Sequence, residues 1–385
     1  MKKGYAWLSA AVVLTVVLTL YAVLGESLLQ HNWYDSYSLQ AQAWLEGKCT
    51  IDGDYSYLEL AQYEGRQYLS FPPFPSVFML PFVLLFGQNT PSGLLAVCLM
   101  AASTLVCASF GRKKGLTPLC AACFGAFCVL GCNYCEYALY GSVWNLAQSL
   151  AFLLTFSSFR LFLNEKKRDD RISLVLIACA VGCRPFQAVY ALFLAVLCVK
   201  RYGLKEAARM CILPLHIAFA YAAYNFARFG NPLEFGHNYL PEFMYESEHG
   251  QFSLHYVLNN LKNIVRLPYF ENGLLLFPGC YGFAFYLTNP VYDLCAIQVV
   301  RRRMTWEKAL LCVLLAAHFL ALLCHKSFGG VQWGTRYLCD LVPALTWLWL
   351  SDHEEKFAWW EWTLMGWGVA FNIYGTIIFH LVLYP

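Results

Sequence analysis

Asp35 lies in His31-Asn32-Trp33-Tyr34-Asp35-Ser36-Tyr37, just past the end of an unbroken apolar run. A carboxylate held among aromatic rings at a membrane surface can act as a general base, taking the proton from a hydroxyl or amine as that group attacks. The same position begins a stretch, Ser36 to Leu45, whose pattern predicts an amphipathic helix lying on the membrane. Asp35 would cap that helix, and capping alone is the other reading of its presence. Asp52 and Asp54 are rival carboxylates, although Ile51-Asp52-Gly53-Asp54 reads as a turn. Tyr37 and Arg66 are further side chains of this segment that can meet a substrate. Glu59 and Glu64 read as solvated loop charges.

Cations mark a second set of candidates. Arg184 precedes Pro185 where a long apolar stretch breaks, apart from the clustered Lys and Arg of the chain. A cation among apolar segments is costly and faces a cavity or an anion, or else snorkels to headgroups. Near the end of the chain, His325 to Tyr337 reads HKSFGGVQWGTRY. Its glycines allow a ligand close to the backbone. Lys326 and Arg336 bring positive charge, and a planar guanidinium suits a phosphate or phosphodiester; anchoring of the following span is the alternative for Arg336.

Other polar clusters carry less. His237, His249 and His255 lie with Glu234, Glu242, Glu246 and Glu248, but without the tight spacing of a metal site. That loop reads instead as a cover for the site or as what shapes acceptor choice. No cofactor is expected; a divalent metal is compatible with the chemistry but not indicated. Most of the 17 cysteines fall in apolar runs, where cysteine behaves as a small hydrophobe. The CxxC pairs Cys120/Cys123 and Cys132/Cys135 read as packing, and Cys49 alone sits in a clearly polar segment.

The elements that position these groups are membrane helices. The chain is 59% hydrophobic and 13% charged, against about 25% charged in soluble domains. Lipid must therefore cover most of its surface. A net charge of +3 is too small to argue for a nucleic-acid partner. The cationic clusters are Lys2-Lys3, Arg112 to Lys114, Lys166 to Arg171, Lys200 to Arg209 and Arg301 to Arg303. Placing them all in the cytoplasm predicts about eleven spans: 5–25, 91–110, 116–132, 143–162, 172–183, 186–199, 207–226, 281–300, 309–324, 338–350 and 357–383. The fold class is all-α, a polytopic transmembrane bundle forming one domain over 1–385. The apolar stretch from Ala6 reads as a retained first span with the N-terminus cytoplasmic, and the chain as multi-pass in the cell membrane.

Two long connectors then face outside: 26–90, with juxtamembrane helices, and 228–280. The apolar stretch from Pro72 to Gly87 is too short for a span and reads as an interfacial or re-entrant helix. Residues 172–199, broken at Arg184-Pro185, form two short helices of the kind tolerated beside a cavity.

Four pieces in order carry a resemblance: the aspartate after the first span with AQAWLEGKC; GRQYLSFPPFPSVFMLPFVLLFG; YNFARFGNPLEFGH from Tyr224 to His237; and GGVQWGTRYLCDLVPAL from Gly329 to Leu345. Together they resemble bacterial members of the glycosyltransferase C superfamily, similar to protein O-mannosyltransferases and aminoarabinose transferases. The resemblance implies inverting transfer of a sugar from a polyprenyl-phosphate carrier, in a membrane-lipid setting, to an unidentified acceptor on the outer face. It implies Asp35 as base, with Arg184 and Arg336 on the carrier phosphate and Lys326 behind them. The chain departs from relatives in having no additional soluble C-terminal domain and no Asp-Glu pair after the first span.

A transporter or flippase of lipid-linked sugars would use the same cations. It predicts an internal repeat, which is not evident, or charges in mid-span, where Asp293 is the main example. A glycan polymerase or ligase would place its large loop late, and a non-catalytic scaffold would leave Asp35 and Arg336 without purpose. No Gly-rich phosphate loop for a nucleotide is found.

Overall fold

The computed structural model describes residues 4–244 and 247–383; Lys2, Lys3 and Glu246 lie outside them. The first apolar run forms the helix Gly4–Leu24. It turns Trp7, Leu8, Val12 and Leu18 outward, where lipid would meet them, and buries Val13, Val17, Leu20 and Tyr21 against the helices Ser92–Lys113 and Pro118–Leu130. Thr117 caps the second of these by accepting from the Cys120 amide, with Pro118 at its first turn. Gly125 brings the pair close: a Cβ there would stand 2.6 Å from the Thr104 carbonyl oxygen. Val143–Phe162 and Lys167–Val181 pack alongside. Leu204–Phe229 presents Ile212, Leu213, Leu215, Phe219 and Phe226 outward and ends at Gly230 in the left-handed region (φ +65°).

Five described helices are long and apolar enough to cross a bilayer unaided: Gly4–Leu24, Ser92–Lys113, Leu204–Phe229, Trp306–Leu323 and Trp359–Leu383. Other expected spans fall on helices of 8 to 20 residues. The expected span 281–300 is not one helix: Phe285–Thr288 and Val291–Arg301 are separated at Asn289-Pro290, because proline cannot continue the hydrogen-bond ladder. The expected span 338–350 likewise begins as the 3₁₀ segment Arg336–Leu341 before Val342–Trp349.

The chain is helical as expected, but two hairpins interrupt it. Leu60–Tyr63 pairs antiparallel with Arg66–Leu69, and Tyr269–Glu271 with Leu274–Leu276. Both turn through two residues of positive φ, Glu64-Gly65 and Asn272-Gly273, which matches the twist of the flanking strands.

The described cationic clusters gather at one end of the bundle. Lys200 pairs with Glu307, Arg302 with Glu354, Lys308 with Asp352, and Lys167 and Arg171 with Glu206. Helices 92–113, 143–162 and 188–202 finish at this end, and 306–323 and 359–378 begin there. Their other ends converge on a large cavity.

Candidate functional site

The cavity has a volume of about 950 Å³. Its wall combines the first connector (His31 to Tyr34, Tyr37, Glu59, Ser70 to Pro72), the Glu136–Ala147 region, the Cys183–Phe186 break, the second connector and the glycine loop before Arg336. It thus unites segments from the whole length of the chain.

The glycine loop is pinned from beneath. Trp333 is fully buried, donating from Nε1 to Asn372 Oδ1 at 2.9 Å, while its carbonyl accepts from Asn133 Nδ2 at 3.0 Å and from the Tyr137 hydroxyl. Gly334 takes φ +61°, and a Cβ there would collide with the Asn133 side chain. Next along, the Arg336 amide donates to Gln332 Oε1 (3.0 Å), and the Arg336 carbonyl accepts from Gln148 Nε2 (2.7 Å). The backbone of Arg336 is therefore fixed while its side chain is left to the cavity.

The two arginines differ. Arg184 Nε donates to Asp340 Oδ2 at 2.8 Å, and its guanidinium lies 4.9 Å from the centre of the Tyr337 ring. Asp340 is buried and also accepts from Gln148 Nε2 at 3.1 Å, while its carbonyl accepts from the Tyr190 hydroxyl at 3.1 Å. Arg184 is thus largely neutralised. Arg336 has no carboxylate partner among the described salt bridges. Its guanidinium sits between the Trp144 and Tyr337 rings, 5.9 and 5.2 Å from their centres, and its buried Nε has no hydrogen-bond partner among the described residues. A buried donor without a partner is costly unless a ligand supplies one.

The other anticipated residues are placed as follows. Asp35 is fully buried and caps Ser36–Leu45: Oδ1 accepts from the Ser38 amide (3.1 Å) and Oδ2 from the Ser38 hydroxyl (2.6 Å). Burial pushes its pKa above the ordinary carboxylate range, opposed by the Ser38 hydrogen bonds and by His31. Its carboxylate stands one layer behind the cavity wall, which His31, Tyr34 and Tyr37 form. Tyr37 is on that wall, its hydroxyl buried without a partner among the described residues. Lys326 lies beside the main cavity, in an 80 Å³ pocket with His237, Phe243 and His325, its ammonium over the Phe243 ring. Asp54 and Arg66 do not join the site. Both are exposed, Asp54 in the irregular stretch after Gly53 and Arg66 at the start of the second strand of the first hairpin, where the turn of the hairpin carries it outward.

Glu59 corrects its sequence reading as a solvated loop charge. The first connector folds back so that Glu59 Oε2 accepts from Trp144 Nε1 at 3.0 Å, on the cavity wall. Burial raises its pKa, with Trp144 and the nearby charge of Arg336 acting the other way. Glu136 is a second unanticipated carboxylate, 3.1 Å from His380 Nε2. The second connector does cover the site: Leu233, Phe235, His237, Phe243, Gln251 and Phe252 line it. His237 and His325 are kept neutral by burial, His325 down to about 3. Among the described residues no group of three His, Cys, Asp or Glu is arranged to hold a metal ion, and the 17 cysteines are free thiols.

No family model and no curated protein sequence matches this chain. Its fold, however, is found in solved structures. ArnT from Cupriavidus metallidurans bound to undecaprenyl phosphate superposes with a TM-score of 0.58 at 14% identity, covering 96% of this chain and 64% of that one. The apo state of the same protein gives 0.55 at 14% identity, covering 94% and 62%. The archaeal oligosaccharyltransferase AglB from Archaeoglobus fulgidus, in complex with an inhibitory peptide and a dolichol-phosphate, gives 0.53 at 11%, covering 98% and 56%. The chain spans less than two thirds of the length of these proteins, and at such identity the likeness is one of fold.

Proposed function

We propose that this protein is a membrane glycosyltransferase that takes a sugar from a polyprenyl-phosphate carrier and passes it to an acceptor on the outer face of the membrane. One observation carries the reading: Arg336 offers a charged, partly unpaired guanidinium to a large cavity at the end of the bundle away from the cationic clusters. By the positive-inside rule the clustered end is cytoplasmic, so the cavity faces out. The solved structures that share the fold hold undecaprenyl phosphate and dolichol-phosphate, and a carrier phosphate is what Arg336 would bind.

In this reading Arg336 holds the carrier phosphate. Arg184, largely neutralised by Asp340, adds only a smaller share of positive field, and Lys326 supports them from the side pocket. The acceptor attacks the anomeric carbon, and the bond from that carbon to the phosphate oxygen breaks. The electron pair leaves with the polyprenyl phosphate, whose growing charge the arginines stabilise. Asp35 supplies the negative charge that draws off the acceptor's proton.

The test is release of polyprenyl phosphate by purified protein in nanodiscs given polyprenyl-phosphate hexoses and pentoses. The wild type is expected to release it, with Arg336→Ala and Asp35→Asn strongly impaired. Movement of intact lipid-linked sugar between leaflets without cleavage would replace this reading by a flippase.

A further inference from the structure

We propose that His31 is the group that receives the acceptor's proton, with Asp35 acting through it as a positioning residue. The proposal deepens the transferase reading and rests on it.

The geometry separates the charge from the surface where it is needed. Asp35 has no exposed surface, and both its oxygens are engaged by Ser38. His31 stands between it and the cavity: its ring is part of the wall, about one fifth exposed, with Nδ1 3.9 Å from Asp35 Oδ2. The same Nδ1 lies 3.0 Å from the carbonyl oxygen of Thr90. A carbonyl oxygen only accepts, so Nδ1 carries the hydrogen, and in the neutral ring the lone pair is on Nε2. The ring is held on this side: the Asn32 amide donates to Ser92 Oγ at 3.1 Å, tying the 31–35 segment to the 90–92 turn. An imidazole oriented at one nitrogen, backed by a buried carboxylate and forming part of the cavity wall, has the arrangement a proton acceptor requires.

The balance is simple. The acceptor oxygen or nitrogen forms the new bond to the anomeric carbon, and the carbon–oxygen bond to the phosphate breaks with its electrons on the phosphate. The acceptor's proton passes to His31 Nε2. The resulting imidazolium faces the Asp35 carboxylate until the proton returns to water. Of the other carboxylates on the wall, Glu59 accepts from Trp144, one oxygen of Glu136 lies 3.1 Å from His380 Nε2 and Asp340 holds Arg184, while Glu26 is exposed just past the first helix.

The experiment exploits a nucleophile that has no proton to lose. Purified wild type, His31→Ala, His31→Gln and Glu59→Gln would be given polyprenyl-phosphate sugars with and without sodium azide, and polyprenyl phosphate and glycosyl azide measured. His31→Gln keeps a donor for the Thr90 carbonyl but cannot take a proton, so it separates folding from chemistry. Both His31 variants are expected to lose on the order of 10²-fold in release with water as the nucleophile, to bind polyprenyl phosphate as the wild type does, and to recover with azide. Added imidazole is expected to restore His31→Ala. Activity of both His31 variants within a factor of a few of the wild type would overturn the proposal. So would a loss that neither azide nor imidazole repairs, or azide recovery confined to Glu59→Gln. A wild type that releases no polyprenyl phosphate from any of these donors would instead overturn the transferase reading beneath it.

Discussion

Arg184 Nε and Asp340 Oδ2 meet at 2.8 Å, joining the break between two short helices to a 3₁₀ segment 156 residues further along the chain. The pair divides labour between the two arginines of the cavity: one is spent on holding the wall together, the other is available to a ligand.

Arg336→Ala should therefore weaken binding of polyprenyl phosphate at least tenfold, the loss of a charge-assisted contact of about 1.5–3 kcal/mol. It should leave the melting temperature nearly unchanged, because the side chain has no carboxylate partner among the described residues to strand. Arg336→Lys should recover only part of the affinity, since an ammonium cannot present two parallel donors. Titration by intrinsic tryptophan fluorescence, with Trp144 beneath the guanidinium, reads this directly.

Asp340→Ala should behave in the opposite way. It removes the partner of Arg184 and of Gln148 and leaves a largely buried cation unpaired, a loss of roughly 3–5 kcal/mol. A bound phosphate can replace the missing charge. Polyprenyl phosphate should then raise the melting temperature of Asp340→Ala more than that of the wild type; an equal rise would show that Asp340 does not neutralise Arg184.

Glu59 gives a pH prediction. Burial raises its folded pKa above the ordinary value of 4.5, so between those two values the folded state holds the proton more tightly than the unfolded one. Stability therefore falls as pH rises through that window. Glu59→Gln, which keeps an acceptor for Trp144, should melt higher than the wild type at pH 7, and the gap should close below the ordinary carboxylate pKa. Thermal melts across pH 3.5–7.5 in nanodiscs would check the sign.

Two glycines should part company. A Cβ on Gly141 would collide with the Ser92 backbone, whereas one on Gly366 meets nothing within 4 Å. Gly141→Ala should cost about 1–3 kcal/mol and disturb the cavity wall. Gly366→Ala, inside the helix Trp359–Ile378, should be neutral or stabilise by up to ~1 kcal/mol. Melting of the two variants in one detergent suffices to compare them.

What local chemistry can determine was present in the sequence. Continuous apolar runs must be helices because lipid offers no partner to backbone groups, and Lys and Arg clusters mark one end. A cation beside a proline in an apolar stretch marked Arg184, and three glycines before a guanidinium marked Arg336. Even the unanticipated hairpin at Asn272-Gly273 had its turn signal. The pairings were decided only in three dimensions. Nothing local distinguishes Asp340, which holds Arg184, from any other aspartate at a helix start. Nor does it show that Glu59 returns to the cavity while Asp54 and Arg66 turn away, or that Asp35 is buried with His31 on its open side. Burial and Coulomb energy depend on which atoms are near in space. In a chain that brings residue 31 to residue 90 and residue 184 to residue 340, those neighbours are chosen by helix packing, which no short stretch of sequence contains.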